Sequence, residues 1–328
     1  MRAEAKTEAL SRRTAGLSAA GRGWLGAARR DAVARLATMG LPTKRDEYWR
    51  YTDPASLTAA TPNPAAPLDA GGDAGDEAGG EAPDFDGINA VRLVFVDGLF
   101  DAARSDDPAV AGLEITALAA AGGVDIHWAR DVYGVLEARG QTPVTRSLAT
   151  LNTAYATEGF LIRATGKAAR PVSFTDLRGG QTSDALIRHC IKLEQGAELT
   201  LLESGPVAAR ATTVIEVEVG NGARFHHIRT QGRDHDRRAA THVFARVGAG
   251  AVFKSFTLTA NGCLTRNEQV IELIGDDGVA HVAGAAVGDG TFHHDDTVFV
   301  THEGQRCESR QVFKKVLMNG AVGAFQGK

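Results

Sequence analysis

The chain has 328 residues, with 36 Lys and Arg against 40 Asp and Glu and a formal net charge of −4. That length can bury a substantial core and suits one or two domains, while the charge balance favours neither nucleic acid nor an anionic membrane as a partner. No stretch approaches the ~20 apolar residues of a membrane span, and no apolar run follows the charges of MRAEAKTEALSRRTAGLSAAGRG, so a cytoplasmic protein is expected.

From Ser18 to Met39, Trp24, Ala28, Ala32, Leu36 and Met39 recur at three- or four-residue spacing and lay one apolar stripe along a helix that Gly40-Leu41-Pro42 stops. Thr43, with Asp46 three residues on, caps a predicted second short helix through KRDEYWRY. Residues 1–60 therefore read as a small helical domain. Residues 61–90 are rich in Gly, Pro and acid, with almost nothing to bury, and read as a linker. A mixed α/β segment is expected over 91–154. It opens with VRLVFVDGLF, whose β-formers flank an Asp-Gly turn, and continues with a helical interval from Ala109 to Arg139.

From about Tyr155 short apolar runs alternate with Gly-containing turns. Glycines 196, 222, 250, 278 and 304, spaced by 26, 28, 28 and 26, each precede an alternating segment. A period in that range marks stacked coils, each covering its neighbour's apolar face. The residues three after these glycines, Leu199, Phe225, Phe253, His281 and Cys307, are predicted to stack inward, and those four after, Thr200, His226, Lys254, Val282 and Glu308, outward. Residues 155–328 are thus predicted to form a parallel β-helix with about two strands per coil. A cupin-type double-stranded β-helix or a jelly roll is the alternative.

Candidate chemistry is thin. Cys190, Cys263 and Cys307 lie far apart without a C-x-x-C pair, so neither a disulfide framework nor a zinc finger is suggested. A four-cysteine iron–sulfur site cannot form within one chain, and any cluster held here must borrow ligands. Adjacent histidines on a strand point to opposite faces, so neither His226-His227 nor His293-His294 can grip one ion, although His293 with Asp295, or His294 with Asp296, shares a face. A metal set of His293, Asp295, His302 and Cys307 is weighed against a structural reading, which is favoured. There HHDD is a solvated rim, Cys307 is a small core hydrophobe beside Arg306, and His281 is a core histidine. His302-Glu303 lacks the second histidine of H-E-x-x-H because Arg306 stands there. Neither Gly166-Lys167 nor Gly327-Lys328 has the P-loop glycine, GNGARF lacks the third glycine of a dinucleotide loop, and there is no G-x-S-x-G. No catalytic residue is nominated, and a non-enzymatic chain is expected.

Four blocks, GLPTKRDEYWRYTD, VRLVFVDGLF, LNTAYATEGFLIRATGK and CESRQVFKKVLMNGAVGAFQGK, resemble successive blocks of the SufD branch of the SufB/SufD family, subunits of the SUF iron–sulfur cluster assembly machinery. The resemblance implies a helical N-terminal domain before a right-handed parallel β-helix, and a scaffold that pairs edge to edge with a SufB-like subunit. A SufC-like ATPase would act in trans, with a transient iron–sulfur cluster at the subunit interface and no cofactor bound by this chain alone. A homodimer is a further expectation. Family members also carry a C-terminal helical domain that docks the ATPase and a Cys-Ser-His-Gly motif; the 328 residues contain neither, so an incomplete β-helix is expected and no family residue is transferred. The competing expectation is a cupin-like metal enzyme using His293, Asp295 and His302.

Overall fold

The computed structural model describes residues 2–19, 21–66, 84–121, 127–232 and 234–328. Most of the predicted linker falls on 67–83, outside the described residues. With 43% of residues in strands and 18% in helices, the chain is mainly β and forms a parallel β-solenoid of about 6 turns behind an N-terminal helical region.

The helical region comprises α1 (Arg2–Thr14), α2 (Gly23–Met39) and α3 (Ala55–Thr58). Gly40, at φ 63°, closes α2 and returns its N–H to Leu36 O, a left-handed stop that glycine adopts without strain. The helix expected through KRDEYWRY is only a single 3₁₀ turn, Glu47–Trp49. Asp46 does reach back to the Thr43 N–H at 2.8 Å, but Trp49 is buried against the sheet and tertiary packing takes over.

Next come β1 (Val91–Val96) and β2 (Leu99–Asp101), then β3 (Leu113–Ala117), α4 (Leu118–Ala121), α5 (Val135–Arg139) and α6 (Ser147–Tyr155). The Asp-Gly turn makes the expected hairpin: Asp97 and Gly98 both have positive φ, and Val96 faces Leu99. The interval read as helical from Ala109 instead holds strand β3, antiparallel to the first solenoid strand.

The solenoid strands are β4 (Phe160–Ala164), β5 (Val172–Leu177), β6 (Asp184–Leu193), β7 (Glu198–Ser204), β8 (Arg210–Val219), β9 (Arg224–Gln231), β10 (Arg238–Val247), β11 (Val252–Ala260), β12 (Leu264–Leu273), β13 (Val279–Asp289), β14 (His293–His302), β15 (Glu308–Met318) and β16 (Val322–Gly327). Successive strands alternate between two sheets. Sheet one runs β15-β13-β11-β9-β7-β5-β1-β2, and sheet two runs β16-β14-β12-β10-β8-β6-β4-β3. Two strands per coil and in-register parallel pairing match the predicted β-helix and not a cupin or jelly roll.

The predicted columns hold through three coils and then shift. Leu199 pairs with Phe225 and Phe225 with Phe253, but the next partners are Ala280 and Ser309. The cause is the turn. Gly196, Gly222 and Gly250 occupy a left-handed position that Asp277 and Arg306 occupy in the next two coils, so Gly278 and Gly304 are not its equivalents. Arg306 at this position is held by a bidentate pair with Asp277, at 2.7 and 2.9 Å. His281 consequently stands outward, level with Lys254, and bonds Glu308 at 2.8 Å instead of entering the core. Val282, expected outward, is buried in the core. Cys307 does pack on the core, one step earlier than expected, behind Ala197, Ala223, Ala251 and Gly278.

Candidate functional site

His293 and Asp295 lie on the outer face of sheet two, where both meet Thr52 of the N-terminal region: Thr52 Oγ1 donates to Asp295 Oδ2 at 2.6 Å and sits 3.0 Å from His293 Nε2. Asp295 also pairs with the buried Arg266, over which Trp49 stacks at 4.3 Å. His302, nine residues further along β14, holds the register of the opposite, lumen-facing side and bonds Ser309 Oγ at 2.9 Å. At about 3.3 Å per residue it stands roughly 30 Å from His293. Cys307 Sγ is 3.3 Å from Gly275 O. The four metal candidates therefore do not converge, and among the described residues no group of three or more His, Cys, Asp or Glu is placed to hold a metal ion. HHDD is no solvated rim either: His294, Asp295 and Asp296 are buried and His293 is half-buried.

The polar groups that do converge lie in the lumen. The half nearest the glycine turns is apolar, filled by Leu199, Leu201, Phe225, Phe253, Val217, Val247 and Leu273. In the other half, where sheet-one strands end and sheet-two strands begin, the inward positions turn polar. Glu203 takes a 2.8 Å hydrogen bond from Arg229 Nε and lies 2.5 Å from His227 Nε2. Arg229 Nη1 donates to Thr241 Oγ1 (2.9 Å), Thr241 to Asn267 Oδ1 (2.6 Å), and Asn267 Nδ2 approaches His294 Nε2 at 3.3 Å. His294 Nδ1 is 3.3 Å from Asp296, which Lys315 Nζ meets at 3.0 Å. A hydrogen-bonded chain thus threads the coils from β7 to β14, and the Asp296–Lys315 ion pair lies beyond its end on β15. A branch joins His227 Nδ1, Ser255 and Gln269.

Electrostatics follow from burial and partners. Burial alone would raise the Glu203 carboxyl, but Arg229 and the His227 bond outweigh it and hold it well below the usual carboxylate range. Asp176, at the β5 end of the polar half, is pushed well up by burial and by Glu203. The space it shares with Glu203 and Arg229 is about 20 Å³, room for about one water. Burial lowers His189 to about 4 and also lowers His227 and His294. The polar half of the lumen thus holds paired and hydrogen-bonded groups, with its histidines biased toward the neutral form by burial. Cys190 lies outside it under the helices, with its thiol raised by burial, as is that of Cys263 at the far corner.

Sequence reading missed this chain because it treated inward positions as apolar. The signal is in RFHHIRTQ, where Phe225, His227, Arg229 and Gln231 alternate on one face and change from apolar to polar partway along the strand.

Among the described residues no helix is long and apolar enough to cross a membrane. Residues 177–328, the coils from the end of β5 onward, match the family model described as SUF system FeS cluster assembly, SufBD core domain. The chain is also similar to the iron-sulfur cluster assembly protein SufD of Escherichia coli (strain K12), at 24% identity over 307 residues, covering 90% of this chain and 67% of that relative.

Proposed function

We propose, on the premise that this is a SufD-like chain with a SufBD core over residues 177–328, that it serves as a non-catalytic scaffold subunit of a SUF-type iron–sulfur cluster assembly complex. In this reading it acts in the cytoplasm and pairs with a SufB-like subunit, a SufC-like ATPase works in trans, and the nascent cluster is cargo at a shared interface. One observation carries the proposal: the family match over residues 177–328 falls wholly within one unbroken stack of coils. A rigid stack suits positioning partners, and ligands for the cargo would come from more than one chain.

The test is co-expression of this chain with the SufB-like and SufC-like subunits of its source, followed by affinity purification and anaerobic reconstitution with iron and sulfide. Co-elution in fixed ratio, with cluster absorbance that the SufB–SufC pair alone does not match, is expected. Elution of the chain by itself, with no gain in cluster on the other two, would reject the assignment.

A further inference from the structure

The outer face of sheet one carries two adjacent columns that run along the solenoid axis. One is basic, with His226, Lys254, His281 and Arg310 paired strand to strand. The permanent cations of this column, Lys254 and Arg310, stand two strands apart with His281 between them, and among the described residues neither has an acidic partner. Two residues further along each strand the column is apolar, through Ile228, Phe256, Ala283 and Val312, and Leu258, Val287 and Val316 continue the apolar surface. Phe256, Leu258, Val287, Val312 and Val316 are 37% to 55% exposed, a contiguous patch of the kind that marks an interaction site.

We propose that this face docks an acidic amphipathic helix of a partner protein, laid along the solenoid axis. The backbone groups of β9, β11 and β13 are paired on both sides within the sheet, and only the edge strand β15 has an open side, so an occupant lying across this face binds through side chains and not as an added strand. A helix advances about 5.4 Å per turn and the strands are spaced about 4.8 Å, so each turn of helix meets about one coil. Apolar side chains at i, i+3, i+4 and i+7 then lie on the Phe256 column while acids on one flank meet Lys254 and Arg310. The other side of the molecule already seats a helix on a sheet face: α6 rests on β6 and β8, and its Asn152 Nδ2 donates to Ile187 O and Thr212 O at 2.9 and 2.7 Å. Charge separates a polypeptide from a lipid surface as occupant. Glu198 and Glu308 stand in one row on the far side of the basic column from Phe256 and would repel an anionic bilayer, whereas a single helix on the Phe256 column has the basic column between it and them.

The probe is a labelled synthetic helix of about sixteen residues, long enough to hold helical structure, with Leu at i, i+3, i+4 and i+7 and Glu along one flank. A second peptide carries Lys in place of Glu, and phosphatidylglycerol vesicles form the third arm. The acidic peptide is expected to bind the full chain and protect Lys254 from acetylation. Phe256→Asp should weaken binding about thirtyfold. The double variant Lys254→Glu/Arg310→Glu should weaken it about tenfold and move the preference to the basic peptide, while circular dichroism and thermal unfolding stay as in the parent. Absence of acidic-peptide binding, equal binding to the parent and both variants, or binding of vesicles but not peptide would each overturn the proposal.

Discussion

The two sheets share one lumen and one register, yet their outer faces are built differently. Through its middle strands sheet two is buried on both sides: β8 and β10 are covered along almost their whole length, with α6 and the N-terminal helices over them. Charges under that cover are paired. Arg188 Nη2 meets Glu216 at 2.5 Å, Glu216 also accepts the Gly134 and Glu137 N–H groups, and Arg146 and Arg266 share Glu268. Sheet one alternates buried and open residues, as β9 and β11 show, and leaves its outer side chains to solvent. The same strand pairing thus makes an internal wall on one side and a working surface on the other, and what differs is only which helices lie against it.

Acid should break the contrast most strongly. His189 faces the lumen from sheet two and His242 lies beneath its helical cover, and burial lowers both to about 4. Because the unfolded chain takes up these protons near pH 6.5, stability is fully present above that value. It is lost as pH falls toward 4, by roughly 3 kcal/mol for each histidine. Urea unfolding at pH 7, 5.5 and 4 measures this, and a flat profile would contradict the buried neutral state. His226, on the outer face of sheet one, is also lowered by burial and by Lys254, but it is exposed and contributes little to the loss.

Glu216→Ala comes next. It leaves Arg188 buried without its carboxylate and should cost about 3–5 kcal/mol, measured by denaturant titration at pH 7. A matched pair of phenylalanines then compares the faces directly. Phe244 is buried on the outer side of β10, and Phe256 is half-open on the outer side of β11. Phe244→Ala should destabilise by about 3–5 kcal/mol, and Phe256→Ala by less than about 1 kcal/mol. Equal losses would mean that sheet one is also covered.

Alternation and turn spacing made the coils legible in the sequence, because each inward column must be filled by its neighbours. The Asp97-Gly98 hairpin was legible for the same local reason. The register failed where glycine stopped marking the left-handed position, since Asp277 and Arg306 hold it through their own ion pair. The polar lumen was not legible, because His227 or Asn267 read alone is indistinguishable from a surface residue. Its meaning comes from partners 24 to 36 positions away. His293 and Asp295 share a face as expected, but their function there is to receive Thr52.

The stacked left-handed corner has a consequence for how such a molecule can vary. From Gly196 to Gly222, Gly250, Asp277 and Arg306 the coils differ in length, yet the strands that follow stay paired. Arg210, Arg238, Leu264 and His293, which begin the sheet-two strands, follow that corner by 14, 16, 14 and 16 residues, so most of the slack is taken up toward the opposite corner, in the ends of the sheet-one strands and the connections after them, with one further residue in the turns before Asp277 and Arg306. One edge of the solenoid is a sewn seam and the other an open hem. Doubling a connection on the open side costs only about 0.6 kcal/mol, so new recognition loops can be added there coil by coil without unpicking the stitches opposite.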